Sequence, residues 1–283
     1  MAVIRDYLNV LKLRIVVLLV GTAFLPMIAA ARGLPDWRPL LAVIVGGAMA
    51  SGGANAINCW FDRDIDAVMH RTSRRPIPAG RMPAWHALAL GVLLNAAAFA
   101  LLSLLANVLA AALALTGTLI YVFVYTIWLK RSTPQNIVIG GAAGAIPPLV
   151  GWAAVTGGLN WTALSLFLVI LFWTPPHFWA LAQMIRRDYE RASVPMMPVV
   201  SSRRSTQVQS LVYALLTLGA SVVPFFTGAE GAVYLAGASV LGLGLVALTV
   251  FDMRRRGITR KLYGYSLLYL ACLFALLAIG IAI

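Results

Sequence analysis

Asn55–Pro78 reads NAINCWFDRDIDAVMHRTSRRPIP: the end of an apolar run, then Asp62, Asp64 and Asp66, then an arginine-rich tail. The chain has only nine acidic residues in 283, so three acids at alternate positions need a cause. Carboxylates are costly beside hydrocarbon, and a cluster of them at the edge of a membrane-length segment marks a site that holds a cation.

Working outward, 61% of the residues are apolar and 11% charged, with mean hydropathy +0.88. That composition is far from a soluble domain and points to a polytopic membrane protein. Nine apolar runs approach the roughly twenty residues that cross a bilayer: 13–31, 40–60, 84–106, 108–129, 136–156, 162–184, 207–227, 231–251 and 263–283. The expected fold is all-α, a single transmembrane domain over 1–283. The opening DYLNVLKLRI is basic and amphipathic, and no cleavable signal is expected because the first run is long and lacks a small-residue cleavage site.

Of the 22 lysines and arginines, only Arg32 and Arg38 fall outside the amino terminus and the loops after the even-numbered spans; the ninth-span side of this tally includes Arg254, Arg255 and Arg256. Basic residues are retained on the cytoplasmic side, which predicts a multi-pass protein of the cell (plasma or inner) membrane with its amino terminus cytoplasmic and its carboxy terminus outside. The net charge of +13 is therefore a topology signal, and nucleic acid is not an expected partner; the lipid bilayer is. Cys59 and Cys272 lie at or within apolar segments without CxxC spacing, so both read as packing residues.

The two longest connections, 61–83 and 186–204, both follow even-numbered spans four helices apart, and each runs acid, then Arg, then Pro. This suggests two four-helix halves plus a ninth helix around a central cavity open to the cytoplasmic side, since parallel repeats often place a site on their shared axis.

Helical phase sharpens the acidic stretch. At about 100° per residue, Asn55, Asn58, Asp62 and Asp66 share an arc of about 80° if the second helix continues to residue 66, while Asp64 points away. Two amides and two carboxylates on one face, with retained waters and phosphates, suit Mg²⁺. The competing reading is a solvated helix end whose acids pair with Arg63, Arg71 or Arg74. In the second loop His177, Met184, Asp188 and Arg191 fall on one face if the sixth helix runs past Pro175-Pro176. Asp188 is then a candidate for a second, weaker cation site, with Arg186, Arg187 or Arg191 beside the anionic group. His177 satisfied by backbone, and Asp188 in a plain interfacial ion pair, are the alternatives. Arg71, Arg74, Arg75, Lys130 and Arg131 are candidates to neutralise a diphosphate, the usual partner of Mg²⁺ and basic side chains, although topology alone also places them there. Pro147-Pro148 and Pro175-Pro176 are expected to kink helices five and six, and the small residues of GGAAGAIPPLVGW to let helices approach closely.

NAINCWFDRDID, with Asn58, Asp62 and Asp66 in NxxxDxxxD positions, resembles the first Asp-rich motif of the UbiA superfamily of intramembrane prenyltransferases. Within that superfamily the chain is similar to the haem O synthase (protohaem IX farnesyltransferase) family, through NCWFDRDIDAVMHRTSRRPIP, YTIWLKRSTPQNIVIGGAAGAIPPLVGW and TPPHFWALAQMIRRDYERASVPMMPVV. The second DxxxD of other members is incomplete, because Ala192 stands four residues after Asp188.

The resemblance implies Mg²⁺-dependent transfer of a farnesyl group from farnesyl diphosphate to a vinyl group of protohaem IX (haem b, a substrate rather than a cofactor), with addition of water to give haem O. It also implies a downstream haem A synthase or terminal oxidase. Asn58, Asp62, Asp66 and Asp188 would be the catalytic and metal-holding residues. Asn55, Arg71, Arg74, Arg75, Lys130, Arg131, Tyr125, His177, Arg187 and Arg191 would bind substrate. Tyr121, Tyr125, Trp128, Trp173 and Phe178 are candidates for cation–π stabilisation of the allylic cation. Among the histidines His177 is the best candidate for haem iron, while His70 and His86 read as loop or interface residues. A quinone-ring or chlorin acceptor, or a non-enzymatic haem or lipid carrier, stays open on the residues alone.

Overall fold

The computed structural model describes residues 2–255 and 257–280; Arg256 and the last residues of the ninth run, 281–283, lie outside the described residues. Within them nine helices are long and apolar enough to cross a membrane: Leu13–Ala31, Trp37–Phe61, Ala84–Leu105, Val108–Ser132, Asn136–Thr156, Trp161–Met184, Arg203–Phe226, Ala232–Arg254 and Thr259–Ile279. No strand occurs among the described residues. The protein is therefore a multi-pass membrane protein. An amphipathic helix, Ala2–Leu11, precedes the first span, and short helices Arg63–Val68, Arg186–Arg191 and Met197–Val200 fill the two long connections.

Local chemistry sets several boundaries. Asn107, Asn160 and Ser202 cap the fourth, sixth and seventh spans, each side chain accepting from the backbone N–H three residues on. Gly157 ends the fifth span in the left-handed conformation that glycine adopts without Cβ strain. The ninth span begins at Thr259, earlier than its apolar run suggests, because Arg260 and Lys261 are carried in its first turn. Pro147 breaks the fifth span at Ile146, as expected. Pro175 and Pro176 do not interrupt the sixth, which is one helix from Trp161 to Met184.

Consecutive spans pack side by side, and the ninth closes the ring against the first and the sixth. The first also crosses against the fifth. That crossing needs Gly151, since a Cβ there would run into the Ala23 carbonyl. The amino-terminal helix and the connections after even-numbered spans gather at one end, called the basic end below. Cys59 is buried and Cys272 partly so, both as free thiols.

Candidate active site

The helix of the second span stops at Phe61, and Asp62 takes φ −82°, ψ 11° before a new helix starts at Arg63. The expected continuous helix is thus broken at one residue. That residue occupies the bridge region of φ/ψ space, where active-site residues are often found. The shared face survives the break: Asn55, Asn58, Asp62 and Asp66 are all buried, whereas the Asp64 side chain is 61% exposed.

Most polar atoms on this face have a defined partner. Asn58 Nδ2 donates to Asp62 Oδ2 (2.7 Å) and to Thr126 Oγ1 (3.0 Å), and its Oδ1 accepts from Lys12 Nζ (2.7 Å). Lys130 Nζ makes a short charged hydrogen bond to Asp62 Oδ2. Arg75 Nη1 donates to Asp66 Oδ2 at 2.6 Å, and Thr72 Oγ1 donates to the Asp66 carbonyl. Among the described residues Asp62 Oδ1 is buried with no hydrogen-bond partner, and Arg131 Nη2 stands 3.6 Å from it. A buried carboxylate oxygen without a donor is costly, and a cation is the partner it lacks. Among the described residues no three His, Cys, Asp or Glu side chains converge. A metal held here would draw on Asn58, Asp62 and Asp66 and complete its shell with water and phosphate oxygens, as Mg²⁺ does.

The face opens into a cavity of about 430 Å³ walled by the first, second, fourth, fifth and sixth spans. Its mouth carries Lys12, Asp62, Asp66, Arg71, Arg75 and Lys130, and its depth is apolar or small, including Ala23, Gly47, Ala114, Gly144 and Val150. The third, seventh, eighth and ninth spans contribute nothing to this wall. The wall thus takes three spans from the first expected four-helix half and two from the second.

The fourth span places its side chains by an unusual winding. Ile120–Leu129 is a π-helix, whose bonds skip one residue more than in an α-helix. In an α-helix Tyr121 and Lys130 would stand about 180° apart. At the roughly 4.4 residues per turn that i→i+5 bonding gives, nine residues complete about two turns, and both face the same way. Tyr121, Tyr125 and Lys130 all line the cavity, and the two tyrosine rings stack at 5.7 Å. Tyr121 Oη approaches Asn55 Oδ1 at 3.5 Å.

Several residues expected at the site lie away from this wall. Arg131 is not on the cavity wall: it grips Asp64 with two hydrogen bonds of 2.7 and 2.8 Å and lies over the Phe61 ring. That grip holds the Asp64 carboxyl down at about 2. Asp188 is half-buried and outside the wall; its Oδ2 accepts from the Arg71 backbone N–H at 3.3 Å, so it braces the first loop. Its neighbour Tyr189 faces the cavity instead. Arg74, Arg187 and Arg191 are exposed and form no part of the wall, whereas exposed Arg71 does. His177 stacks between Trp173 and Tyr263 and pairs with Ser266 Oγ at 2.7 Å, because Thr174, Phe178 and Leu181 take the cavity-facing positions of its helix. Trp173 donates to the Ser266 carbonyl and Trp128 is exposed, so neither sits with the tyrosines. His70 is exposed, and His86 pairs with Tyr7.

Lys12 was legible only as one more topological charge. It sits at φ 54°, ψ 56°, a left-handed conformation uncommon for a residue with a Cβ, and this turn between Ala2–Leu11 and the first span aims its chain at Asn58. Burial holds its ammonium below the usual lysine range.

The sequence profile of the UbiA prenyltransferase family matches residues 18–273. A protein named protoheme IX farnesyltransferase from Symbiobacterium thermophilum is 52% identical over 276 residues, covering 96% of this chain and 92% of its own length. One of the same name from Gloeobacter violaceus is 48% identical, with 98% and 92% coverage. A third, from Roseiflexus sp. (strain RS-1), is 50% identical over 98% of this chain, which spans about half (52%) of that relative's length. Among solved structures, one described with digeranylgeranylglyceryl phosphate synthase superposes with TM-score 0.83 at 18% identity, covering 99% of both chains. A UbiA homolog from Archaeoglobus fulgidus bound to DMAPP and Mg²⁺ gives TM-score 0.68 at 17% identity, covering 97% of this chain and 99% of its own. At such identities the structures show a shared fold.

Proposed function

The chain belongs to the UbiA prenyltransferase family, and from that premise we propose that it transfers a farnesyl group from farnesyl diphosphate to a vinyl group of protohaem IX, with addition of water, giving haem O and diphosphate. The observation that carries the prenyl-transfer reading is the buried Asn58–Asp62–Asp66 face, ringed by Lys12, Arg75 and Lys130, at the mouth of an apolar cavity. The choice of haem as acceptor rests on relatives of about half-identical sequence that carry the farnesyltransferase name.

Asn58 Oδ1, Asp62 and Asp66 would hold Mg²⁺, which when bound withdraws charge from the diphosphate as it leaves. Lys12, Lys130, Arg71 and Arg75 present donors to the departing oxygens, a stabilisation that grows with the charge developed in the transition state. Cleavage of the C1–O bond leaves an allylic cation below the mouth, where the stacked Tyr121 and Tyr125 offer aromatic faces to it. The small, apolar wall keeps bulk water from the cation. The vinyl π electrons then form the new C–C bond at C1, the positive charge passes to the carbon next to the macrocycle, and water adds there with loss of a proton.

The whole chain acts as one domain in the cell membrane, its basic end cytoplasmic, its amino terminus inside and its carboxy terminus outside, by the positive-inside rule. Haem O released at that face would pass to a haem A synthase or a terminal oxidase. Incubating purified protein with farnesyl diphosphate, Mg²⁺ and, separately, haem b, a chlorin and an aromatic acid tests the proposal. Diphosphate release with haem b alone is expected, and release only with another acceptor would overturn it.

A further inference from the structure

Each residue proposed above to hold a metal ion has one oxygen already hydrogen-bonded to one of the protein's own cations: Asn58 Oδ1 to Lys12, Asp62 Oδ2 to Lys130 and Asp66 Oδ2 to Arg75. These three cations and a divalent metal compete for the same three side chains. The cluster holds three positive side chains against two carboxylates, so it favours an incoming anion and opposes a lone divalent cation.

We infer that Lys12 is an exchanging counter-ion, which leaves Asn58 Oδ1 for a diphosphate oxygen when the metal takes its place, so that the anion rather than the metal is the ligand that opens the site. This rests on the reading of Asn58, Asp62 and Asp66 as the metal face. Lys12 suits the exchange. Its partner is a neutral amide, whereas Lys130 and Arg75 neutralise buried carboxylates and would leave them unpaired on departure. It lines the cavity mouth, and its backbone is the turn between two helices, from which its long side chain reaches either Asn58 or a phosphate by rotation about its own bonds.

The test uses the full chain in nanodiscs and two probes, Mn²⁺ without phosphate, followed by electron paramagnetic resonance, and inorganic pyrophosphate without metal, followed by radiolabel retention. In Lys12→Met, Mn²⁺ binding is expected to tighten about tenfold because a competitor and a repelling charge are removed, while pyrophosphate binding weakens about tenfold because a donor is lost. Lys12→Arg keeps the charge and should bind both probes as the wild type does. A purely structural role would weaken both probes together, and that result overturns the proposal. So does Lys12→Arg behaving like Lys12→Met, or Lys12→Met leaving both affinities unchanged. If Lys12→Met fails to fold, Lys12→Gln replaces it, with the same expectation. Asp62→Asn separates the two readings: Mn²⁺ binding that survives it unchanged sinks the metal face itself, whereas loss there with parallel loss in Lys12→Met sinks only the exchange.

Discussion

Asp62 is 1% exposed, with Oδ2 shared between Asn58 and Lys130 and Oδ1 buried without a hydrogen-bond partner among the described residues. Asp64, two residues on, is exposed and gripped by Arg131. Asp62→Ala should lower kcat/KM about a hundred- to thousandfold, the scale of losing a group that stabilises developing charge. Asp64→Asn should change it less than about threefold, since an exposed pair contributes little; steady-state kinetics of both variants checks the contrast. Helical phase in the sequence already separated Asp62 and Asp66 from Asp64, because residues four apart share a face whatever the tertiary context. Lys12 was not legible, because its bond to Asn58 spans 46 positions and depends on a left-handed turn. Glu230 was missed too. It is buried in the turn between the seventh and eighth spans, Oε2 has no partner among the described residues, and burial pushes its carboxyl from 4.5 up to about 7. The folded state therefore binds this proton more tightly than the unfolded one, so stability falls as pH rises from about 4.5 to 7 and stays lower above. Glu230→Gln should flatten that dependence, raising Tm at pH 8 by a few degrees and leaving it unchanged at pH 4, as thermal unfolding in detergent would show.

At the scale of elements, the fourth span couples a backbone irregularity to the site. Apolar length alone located this span, but the π-winding of Ile120–Leu129 leaves no trace in hydropathy, and α-helical phase would have put Lys130 opposite Tyr121. Removing one residue, Ile127, should return the segment to α-helix and turn Lys130 relative to Tyr121 and Tyr125. Activity should fall at least about a hundredfold while the protein remains folded by circular dichroism, and a fully active deletion would deny the winding any role. The proline pairs mark the same limit of sequence reading. Both promised kinks; Pro147 breaks its helix, whereas the sixth span is assigned as one helix that contains Pro175 and Pro176. His177 points toward the ninth span, held by Tyr263 and Ser266 there and by Trp173 of its own helix.

For the whole molecule, number and order of spans followed from hydrophobic length, a property of each segment by itself. The position of the cavity did not, since it depends on which helices cross, and here the first meets the fifth across Gly151. From Asp62 to Gly47 the cavity wall on the second span climbs about 22 Å, deep enough to take a prenyl chain lengthwise. A Cβ on Gly144 would meet nothing within 4 Å, so a larger side chain there projects into the cavity without displacing packed neighbours. Gly144→Phe should therefore keep its Tm and shift the kcat/KM ratio for dimethylallyl over farnesyl diphosphate about tenfold toward the shorter donor. The central claim, farnesylation of haem with capture of the resulting cation by water, is tested most directly by mass spectrometry of the porphyrin product made in H₂¹⁸O. A product heavier than haem b by one farnesyl group and one labelled water is predicted; a farnesylated product without the label, or haem b recovered unchanged beside a prenylated chlorin or aromatic acid, would contradict it.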